Sequence, residues 1–134
     1  MKLRVNCDCG SRGNPGPAGI GLVIRKDYDT ILYEFRESIG ETTNNEAEYR
    51  SVIKALELAT GYDPEMITVE MDSELVVKQL NGEYDVIADN LAPLHNEVQA
   101  IVDDYDVRFE HVPRHTDFQQ LADDLVNEAL DENQ

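Results

Sequence analysis

The order of strand-like and helix-like patterns restricts this chain to a small set of α/β folds. Three segments with strand character, at residues 3–9, 19–26 and 30–37, precede the first helical pattern. The short turn at residues 27–29 joins the second strand to the third, which predicts an antiparallel meander. Helical and strand patterns alternate afterwards. We therefore expect the order βββαβααβα, with one central sheet that mixes antiparallel and parallel strands and is flanked by helices.

The first helix is the most clearly marked element. Thr43, followed three residues later by Glu46, forms a capping-box signature. Apolar residues follow at helical spacing, at Ala47, Val52, Ala55, Leu56 and Ala59. These features predict a helix at about residues 43–60. The same periodicity predicts a strand at 66–71, helices at 73–80 and 91–102, a strand at 107–112 and a last helix at 118–130.

Length and composition indicate one ordinary domain. With 134 residues and 41% hydrophobic content, residues 1–134 can bury a core without disulfides. No apolar stretch approaches the roughly 18 residues that span a bilayer, and Met1 leads into an alternating segment unlike a signal peptide. We expect a cytoplasmic monomer that does not bind membranes. Cys7 and Cys9 lie too close in sequence for a good disulfide, so we expect free thiols.

The charge balance is unusual. The 28 acidic side chains outnumber the 11 basic ones, which gives a net charge of −17, and only four of the basic residues are lysines. Such a surface ordinarily repels nucleic acid. Near 1 M salt, however, the Debye length falls to about 3 Å and long-range repulsion is screened. The composition is similar to that of proteins from salt-accumulating microbes; the alternative is an ordinary acidic cytoplasmic protein.

Four acidic residues stand in distinctive local sequences on different elements: Asp8, Glu48, Asp72 and Asp123. A compact α/β fold can bring such positions together, and clustered carboxylates require cations. Glu48 shares a helical stripe with Val52, Ala55 and Ala59, so its side chain points toward the core side. An ionised group there is costly unless it is paired or coordinates a metal. Glu46, in contrast, has a simple role in the helix cap.

The other three carboxylates remain ambiguous on pattern alone. Asp8, near the end of its strand, can equally accept backbone hydrogen bonds from the glycine-rich segment that follows. Asp72 can equally cap the helix that begins after it. In the last helix, Asp123 and Asp124 flank the apolar face on opposite sides, and periodicity does not choose between them.

Four segments, in order and spacing, resemble ribonuclease HI, especially its compact archaeal and bacterial members. They read DCGSRGNPGPAG, TTNNEAEYRSVIKALELA, DSELVVKQLNGEY and HVPRHTDFQQLADDLVNEAL. The resemblance covers nearly the whole chain and implies a five-stranded mixed sheet with three antiparallel strands first. It also implies that the active-site carboxylates are Asp8, Glu48, Asp72 and Asp123, since the pattern A-D-x-L-x-N selects Asp123 over Asp124.

The resemblance implies two-metal hydrolysis of the RNA strand in an RNA/DNA hybrid. Two Mg²⁺ ions about 3.5–4 Å apart activate a water and stabilise the leaving oxygen. Magnesium prefers oxygen ligands, so a carboxylate-only set fits, and Mn²⁺ is a possible substitute. The implied substrate contacts are Gly10, Ser11, Arg12 and Asn14 of the glycine-rich segment, with Asn44, Asn45 and Arg114. His115 resembles the family's mobile histidine, which assists proton transfer or product departure.

Three departures from the family pattern accompany the resemblance. Cys9 follows Asp8 where the family usually has glycine, and the stretch from Arg114 to Asp123 is longer than in many compact relatives. There is also no lysine-rich insertion between Asn81 and Asn90 like the one that some relatives use to grip the hybrid. Two alternatives to the enzyme therefore remain. One is a catalytically inactive ribonuclease-H-like domain that binds nucleic acid or a partner, and the other is an acidic structural domain.

Overall fold

The computed structural model describes residues 1–132 as a five-stranded sheet with helices on both faces. The strands are β1 (Lys2–Ser11), β2 (Gly16–Lys26), β3 (Thr30–Thr42), β4 (Met66–Met71) and β5 (Val107–His111). The helices are α1 (Asn44–Thr60), α2 (Glu74–Leu80), α3 (Ala92–Val102) and α4 (Asp117–Glu132). The sheet order is β3-β2-β1-β4-β5, in which β1, β2 and β3 are antiparallel while β4 and β5 run parallel to β1. The predicted fold class and element order are confirmed.

The alternation along β1 divides its side chains between two helical layers. Leu3, Val5 and Cys7 are fully buried in the main core together with α1 residues. On the other face, a smaller apolar cluster joins Val23 of β2 to α4. Because the second face of the sheet is also covered, Asn6 and Asp8, which alternate with the apolar residues of β1, are buried as well. Within residues 1–132, no helix is long and apolar enough to cross a membrane.

Three strands extend beyond their predicted ends. The ladder between β1 and β2 continues through Gly10 with Gly19 and Ser11 with Ala18, so only residues 12–15 form the connection. The strands predicted at residues 3–9 and 19–26 are therefore too short on the side of the glycine-rich segment. Glycine favours turns in a sequence pattern, but here backbone pairing satisfies the amides of these small residues. The third strand similarly continues five residues past its predicted end at residue 37.

One of the two hydrogen bonds of the predicted capping box is present at the start of α1. The Thr43 hydroxyl accepts a hydrogen bond from the Glu46 amide at 3.3 Å, and the helix begins at Asn44. The Glu46 carboxylate does not complete a capping box, since it accepts hydrogen bonds from the Thr42 hydroxyl and from Asn90 Nδ2. Glu46 therefore connects the end of β3 to the loop that precedes α3.

The close approach of α4 to the sheet depends on Gly21. This residue pairs with Asp8 across the β1–β2 ladder. A Cβ atom at Gly21 would lie 2.5 Å from the Ala122 carbonyl oxygen and 2.9 Å from Leu125 Cβ. Only glycine leaves room for the backbone of α4 at this point, which brings the helix close to Asp8.

We expect Gly21→Ala to lower the free energy of unfolding by at least about 2 kcal/mol, because α4 must move away from the sheet. Gly61→Ala is the matched control, since a Cβ there meets its nearest atom, the Leu58 carbonyl oxygen, at 3.3 Å. Urea unfolding of both variants measures the difference. Equal midpoints would contradict the close-packing account.

Candidate active site

The four carboxylates come from four elements at one edge of the sheet. Asp8 lies near the carboxyl end of β1, and Asp72 directly follows β4. These strands are parallel neighbours whose register pairs Asn6 with Glu70, two residues before each carboxylate. Asp8 and Asp72 are therefore adjacent, while Glu48 reaches them from the start of α1 and Asp123 from α4.

Asp8 is the electrostatic centre of this group. Its side chain is largely buried, with 8% exposure, and burial is the main reason that its pKa is raised to about 8. The negative charge of Asp72 raises the pKa further, and Asp123 contributes both its charge and a hydrogen-bonding contact. The Cys9 amide opposes the shift by donating a hydrogen bond to Asp8 Oδ1 at 2.8 Å. Without a cation, Asp8 therefore holds a proton at neutral pH.

Glu48 and Asp72 form the other side of the group. Burial raises the pKa of Glu48, a hydrogen bond with Ser73 opposes that rise, and the charge of Asp72 adds to it. Asp72 is 17% exposed at its side chain, and Arg114 Nε lies 3.7 Å from its Oδ2. The stripe that predicted an inward Glu48 is present, because Val52, Ala55 and Ala59 are all fully buried.

The two neighbouring aspartates of α4 have different surroundings. Asp123 is half-buried and contacts Asp8, whereas Asp124 is exposed and accepts a hydrogen bond from Gln120 Nε2 at 3.1 Å. The geometry therefore joins Asp123, and not Asp124, to the other three carboxylates.

The donor set suits a hard divalent cation. Among residues 1–132, no three acidic, histidine or cysteine side chains already surround one point that could hold a metal ion. Magnesium sites that act on phosphates commonly use one or two carboxylates and complete their shell with water and substrate oxygens. Pairs such as Asp8 with Asp72, or Asp8 with Asp123, offer that number of ligands. The residues therefore fit a site that is completed by substrate.

The predicted substrate residues lie at the tip of the β1–β2 hairpin and at the start of α1. Asn14 Oδ1 accepts a hydrogen bond from the Asn44 amide at 3.1 Å, which joins the two segments. Gly10 and Ser11 belong to β1 rather than to a loop, and Ser11 donates a hydrogen bond to the Gly13 carbonyl. Asn45 is exposed beside the loop that precedes α3.

The two arginines proposed to grip substrate are already paired with carboxylates. Arg12 contacts Asp131 at the end of α4, and Arg114 contacts Asp72. His115 is exposed in the turn between β5 and α4. Substrate phosphates would have to replace these ion pairs. Arg12 and Arg114 are both partly exposed, so the exchange does not disturb the core.

A buried polar network beneath α4 is the feature that the sequence did not predict. It joins β1, β2, β4 and α4 through Asn6, Arg25, Glu70 and Gln119. No buried side-chain nitrogen or oxygen in the described part of the chain lacks a hydrogen-bond partner. Spacing offered a signal, because Asn6 precedes Asp8 by two residues on a strand and Gln119 precedes Asp123 by four on a helix.

Comparisons with known proteins agree with this arrangement. The family model described as "Reverse transcriptase-like" matches residues 6–129. RNase H1 from the halophilic archaeon Halobacterium salinarum superposes with a TM-score of 0.93 at 38% identity, over 98% of this chain and 99% of that one. LC11-RNase H1, solved in complex with an RNA/DNA hybrid, superposes with a TM-score of 0.92 at 39% identity, over 98% of both chains.

Among curated proteins, a bifunctional protein of Mycobacterium tuberculosis is 41% identical over 133 residues. That match takes in 98% of this chain but 36% of the mycobacterial protein, so the chain spans about a third of that relative's length. The sheet order and the family match define the class, a ribonuclease-H fold of the reverse-transcriptase-like type. Within that class, the chain belongs to the ribonuclease H1 family.

Proposed function

We propose that this chain is an endoribonuclease that hydrolyses the RNA strand of RNA/DNA hybrids by two-metal-ion catalysis. The observation that carries the proposal is the grouping of four carboxylates: Asp8 contacts Asp123, and the charge of Asp72 acts on both Asp8 and Glu48. The complex of LC11-RNase H1 with a hybrid supports the choice of substrate. We propose that residues 1–134 belong to one catalytic domain.

The carboxylates have distinct roles in this mechanism. When bound, Mg²⁺ or Mn²⁺ lowers the pKa of a water nucleophile and stabilises the leaving 3′-oxygen. Asp8 would be the central metal ligand, because it contacts Asp123 and lies within the field of Asp72. Glu48, Asp72 and Asp123 would supply the other carboxylate ligands. Each must give up any proton it holds before it can coordinate, so metal binding releases protons.

The remaining residues bind and orient the hybrid. The hairpin tip and the start of α1, joined through Asn14 and Asn44, present backbone amides and amide side chains toward the RNA strand. Contacts to 2′-hydroxyls distinguish RNA from DNA at such a surface. Arg12 leaves Asp131, and Arg114 leaves Asp72, when each arginine binds a phosphate of the hybrid. His115, exposed beside Arg114, assists proton transfer or product departure.

A hybrid-cleavage assay tests the proposal against the two non-enzymatic alternatives. A labelled RNA/DNA hybrid is incubated with Mg²⁺ or Mn²⁺ across a range of KCl concentrations, with wild type and Asp72→Asn in parallel. Wild type should cut only the RNA strand and only with metal, and Asp72→Asn should be inactive. An intact hybrid in every condition would overturn the enzyme assignment. Cleavage by Asp72→Asn would overturn the site assignment alone.

Affinity for Mn²⁺ should rise with pH. Because Asp8 has a pKa near 8 in the free protein, one proton must leave below that pH when metal binds. The association constant should then increase by about tenfold per pH unit between pH 6 and 8 and level off above. Calorimetric titration with MnCl₂ measures it, with Asp124→Asn as a control that keeps the slope. A flat profile between pH 6 and 8 would contradict proton-coupled binding.

We also propose that the acidic surface is an adaptation to salt. The net charge of −17 produces self-repulsion that falls as the Debye length shrinks from about 10 Å at 0.1 M to about 3 Å at 1 M. The similarity to the Halobacterium salinarum enzyme supports this proposal. That the protein acts as a cytoplasmic monomer stays a prediction. Gel filtration measures the oligomeric state.

The melting temperature should rise steadily between 0.1 and 2 M KCl. Neutralising the exposed pair Asp103 and Asp104 to asparagine should raise the melting temperature at low salt and reduce the salt dependence. Differential scanning calorimetry of both proteins measures the two effects. A melting temperature that is constant above 0.1 M would contradict salt adaptation.

A further inference from the structure

We infer that Gln119 is a positioning residue that fixes the distance between Asp8 and Asp123. The inference rests on the proposed function, because it concerns the same carboxylates. Gln119 itself is not a metal ligand in this proposal. It acts through the relative placement of β1 and α4, which carry the two aspartates.

The Gln119 side chain is held at both ends within the interface. It is fully buried, with 0% exposure. Its Oε1 accepts a hydrogen bond from Asn6 Nδ2 at 3.1 Å, and its Nε2 donates to the Cys7 carbonyl oxygen at 2.9 Å. Cys7 immediately precedes Asp8, so this second bond anchors α4 to the backbone next to the central carboxylate.

The partner Asn6 is itself held in place from the opposite side. Its Oδ1 accepts hydrogen bonds from Arg25 Nε at 3.1 Å and from the Arg25 terminal nitrogen at 2.9 Å. Its Nδ2 also donates to Glu70 Oε1 at 3.1 Å. Asn6 therefore cannot rotate away from Gln119 without breaking bonds to two further strands. The anchor point for α4 is rigid.

Where α4 lies closest to the sheet, small residues do little to fix the position of the helix along its axis, although Leu125, Val126 and Leu130 also pack there. The sheet presents Gly19 and Gly21 to the helix, and the helix presents Ala122 and Ala129 to the sheet. Small residues allow close approach, but they form shallow ridges that resist sliding weakly. The hydrogen bonds of Gln119 add a directional restraint one helical turn before Asp123. A shift of α4 would directly change the distance between Asp123 and Asp8.

A purely structural role for Gln119 leads to different expected results. If Gln119 only satisfies buried polar groups, its loss lowers stability and leaves metal binding by the folded protein unchanged. If it positions Asp123, its loss also weakens metal binding well below the melting temperature. Residues that orient metal ligands typically contribute 10–100-fold to metal affinity.

The experiment compares Gln119→Met with the matched control Gln120→Met. Methionine keeps the length of the side chain and removes its amide, and Gln120 is the exposed neighbour whose Nε2 contacts Asp124. Mn²⁺ affinity is measured by electron paramagnetic resonance of the free ion, without nucleic acid, at a temperature where unfolding is negligible. Gln119→Asn, which keeps the amide on a shorter side chain, replaces Gln119→Met if the latter does not fold.

A double-mutant cycle with Asp123→Asn identifies the route of the effect. Gln119→Met should weaken Mn²⁺ binding at least tenfold in the wild-type background and have little effect when Asp123→Asn is already present. With the hybrid substrate, kcat should fall while KM changes little, because Gln119 does not face the substrate.

Two results would overturn the inference. One is Mn²⁺ affinity for Gln119→Met equal to that of Gln120→Met, and the other is an equal loss with and without Asp123→Asn. The proposed function fails by a different result, which is the absence of hybrid cleavage by wild-type protein that binds Mn²⁺. In that case the metal-binding measurements still test the positioning role.

Discussion

Asp8→Asn is expected to abolish hybrid cleavage and, at the same time, to stabilise the metal-free protein. Asp8 contacts Asp123 and lies within the field of Asp72, so its loss removes the central carboxylate of the proposed ligand set. We expect a decrease in kcat of at least about 10³-fold, equivalent to about 4 kcal/mol of transition-state stabilisation. Single-turnover cleavage with saturating Mg²⁺ measures the loss.

The stabilisation follows from the direction of the pKa shift. The pKa of Asp8 is about 8 in the folded chain and near its ordinary value of 3.8 when unfolded, so the folded state binds the proton more tightly. Proton binding by Asp8 therefore contributes fully to the free energy of unfolding below pH 4, and this contribution is lost as the pH rises from about 4 to 8. An asparagine at this position does not ionise, so the variant does not lose stability in this way as the pH rises. The stability advantage of Asp8→Asn should therefore grow over this range and be largest above pH 8.

Thermal unfolding in EDTA between pH 4 and 9 tests this prediction. Asp124→Asn is the control, because it makes the same substitution at an exposed aspartate, on α4. If Asp8→Asn and Asp124→Asn change the melting temperature equally at every pH, burial of Asp8 is not the cause. If added Mn²⁺ stabilises Asp8→Asn as much as wild type, Asp8 is not a ligand.

The sequence was sufficient for the parts of the site that a local pattern determines. Glu48 lies on an apolar helical stripe, so its inward direction follows from 3.6-residue periodicity without any fold. Asp8 and Asp72 required the fold, because their proximity depends on β1 and β4 being parallel neighbours. Periodicity left Asp123 and Asp124 equivalent, and the packing of α4 against β1 distinguishes them.

The buried network was missed for a specific physical reason. Strand alternation at Asn6 and Arg25 ordinarily indicates a face exposed to solvent. In this fold α4 covers that face, so the same alternation places polar side chains in the interior. A sequence pattern gives the face of a strand but does not say what lies over it. The partners of Asn6 and Arg25 come from β4 and α4, which are distant in the chain.

Arg25→Ala is expected to produce the largest loss of stability of any single change considered for this chain. The Arg25 side chain is 3% exposed and lies 4.0 Å from the centre of the Phe118 ring. It donates to Asn6 Oδ1, to Glu70 Oε1 at 2.9 Å and to the Tyr28 carbonyl at 2.5 Å. Its removal leaves the Glu70 carboxylate buried with only Arg4 as an ionic partner. Breaking a buried pair in this way costs about 3–5 kcal/mol.

A surface arginine serves as the control that separates the effect of burial from the effect of removing a positive charge. Arg36→Ala removes an arginine that also pairs with two carboxylates, Glu128 and Glu132, but does so on the surface, where such pairs contribute little. Urea unfolding should therefore show a large decrease for Arg25→Ala and a small one for Arg36→Ala. The double variant Arg25→Met with Glu70→Met should recover much of the loss, because paired apolar replacements leave no buried charge between those positions. Equal losses for the two alanine variants, or no recovery in the double variant, would mean that the buried charge is not what makes Arg25 necessary.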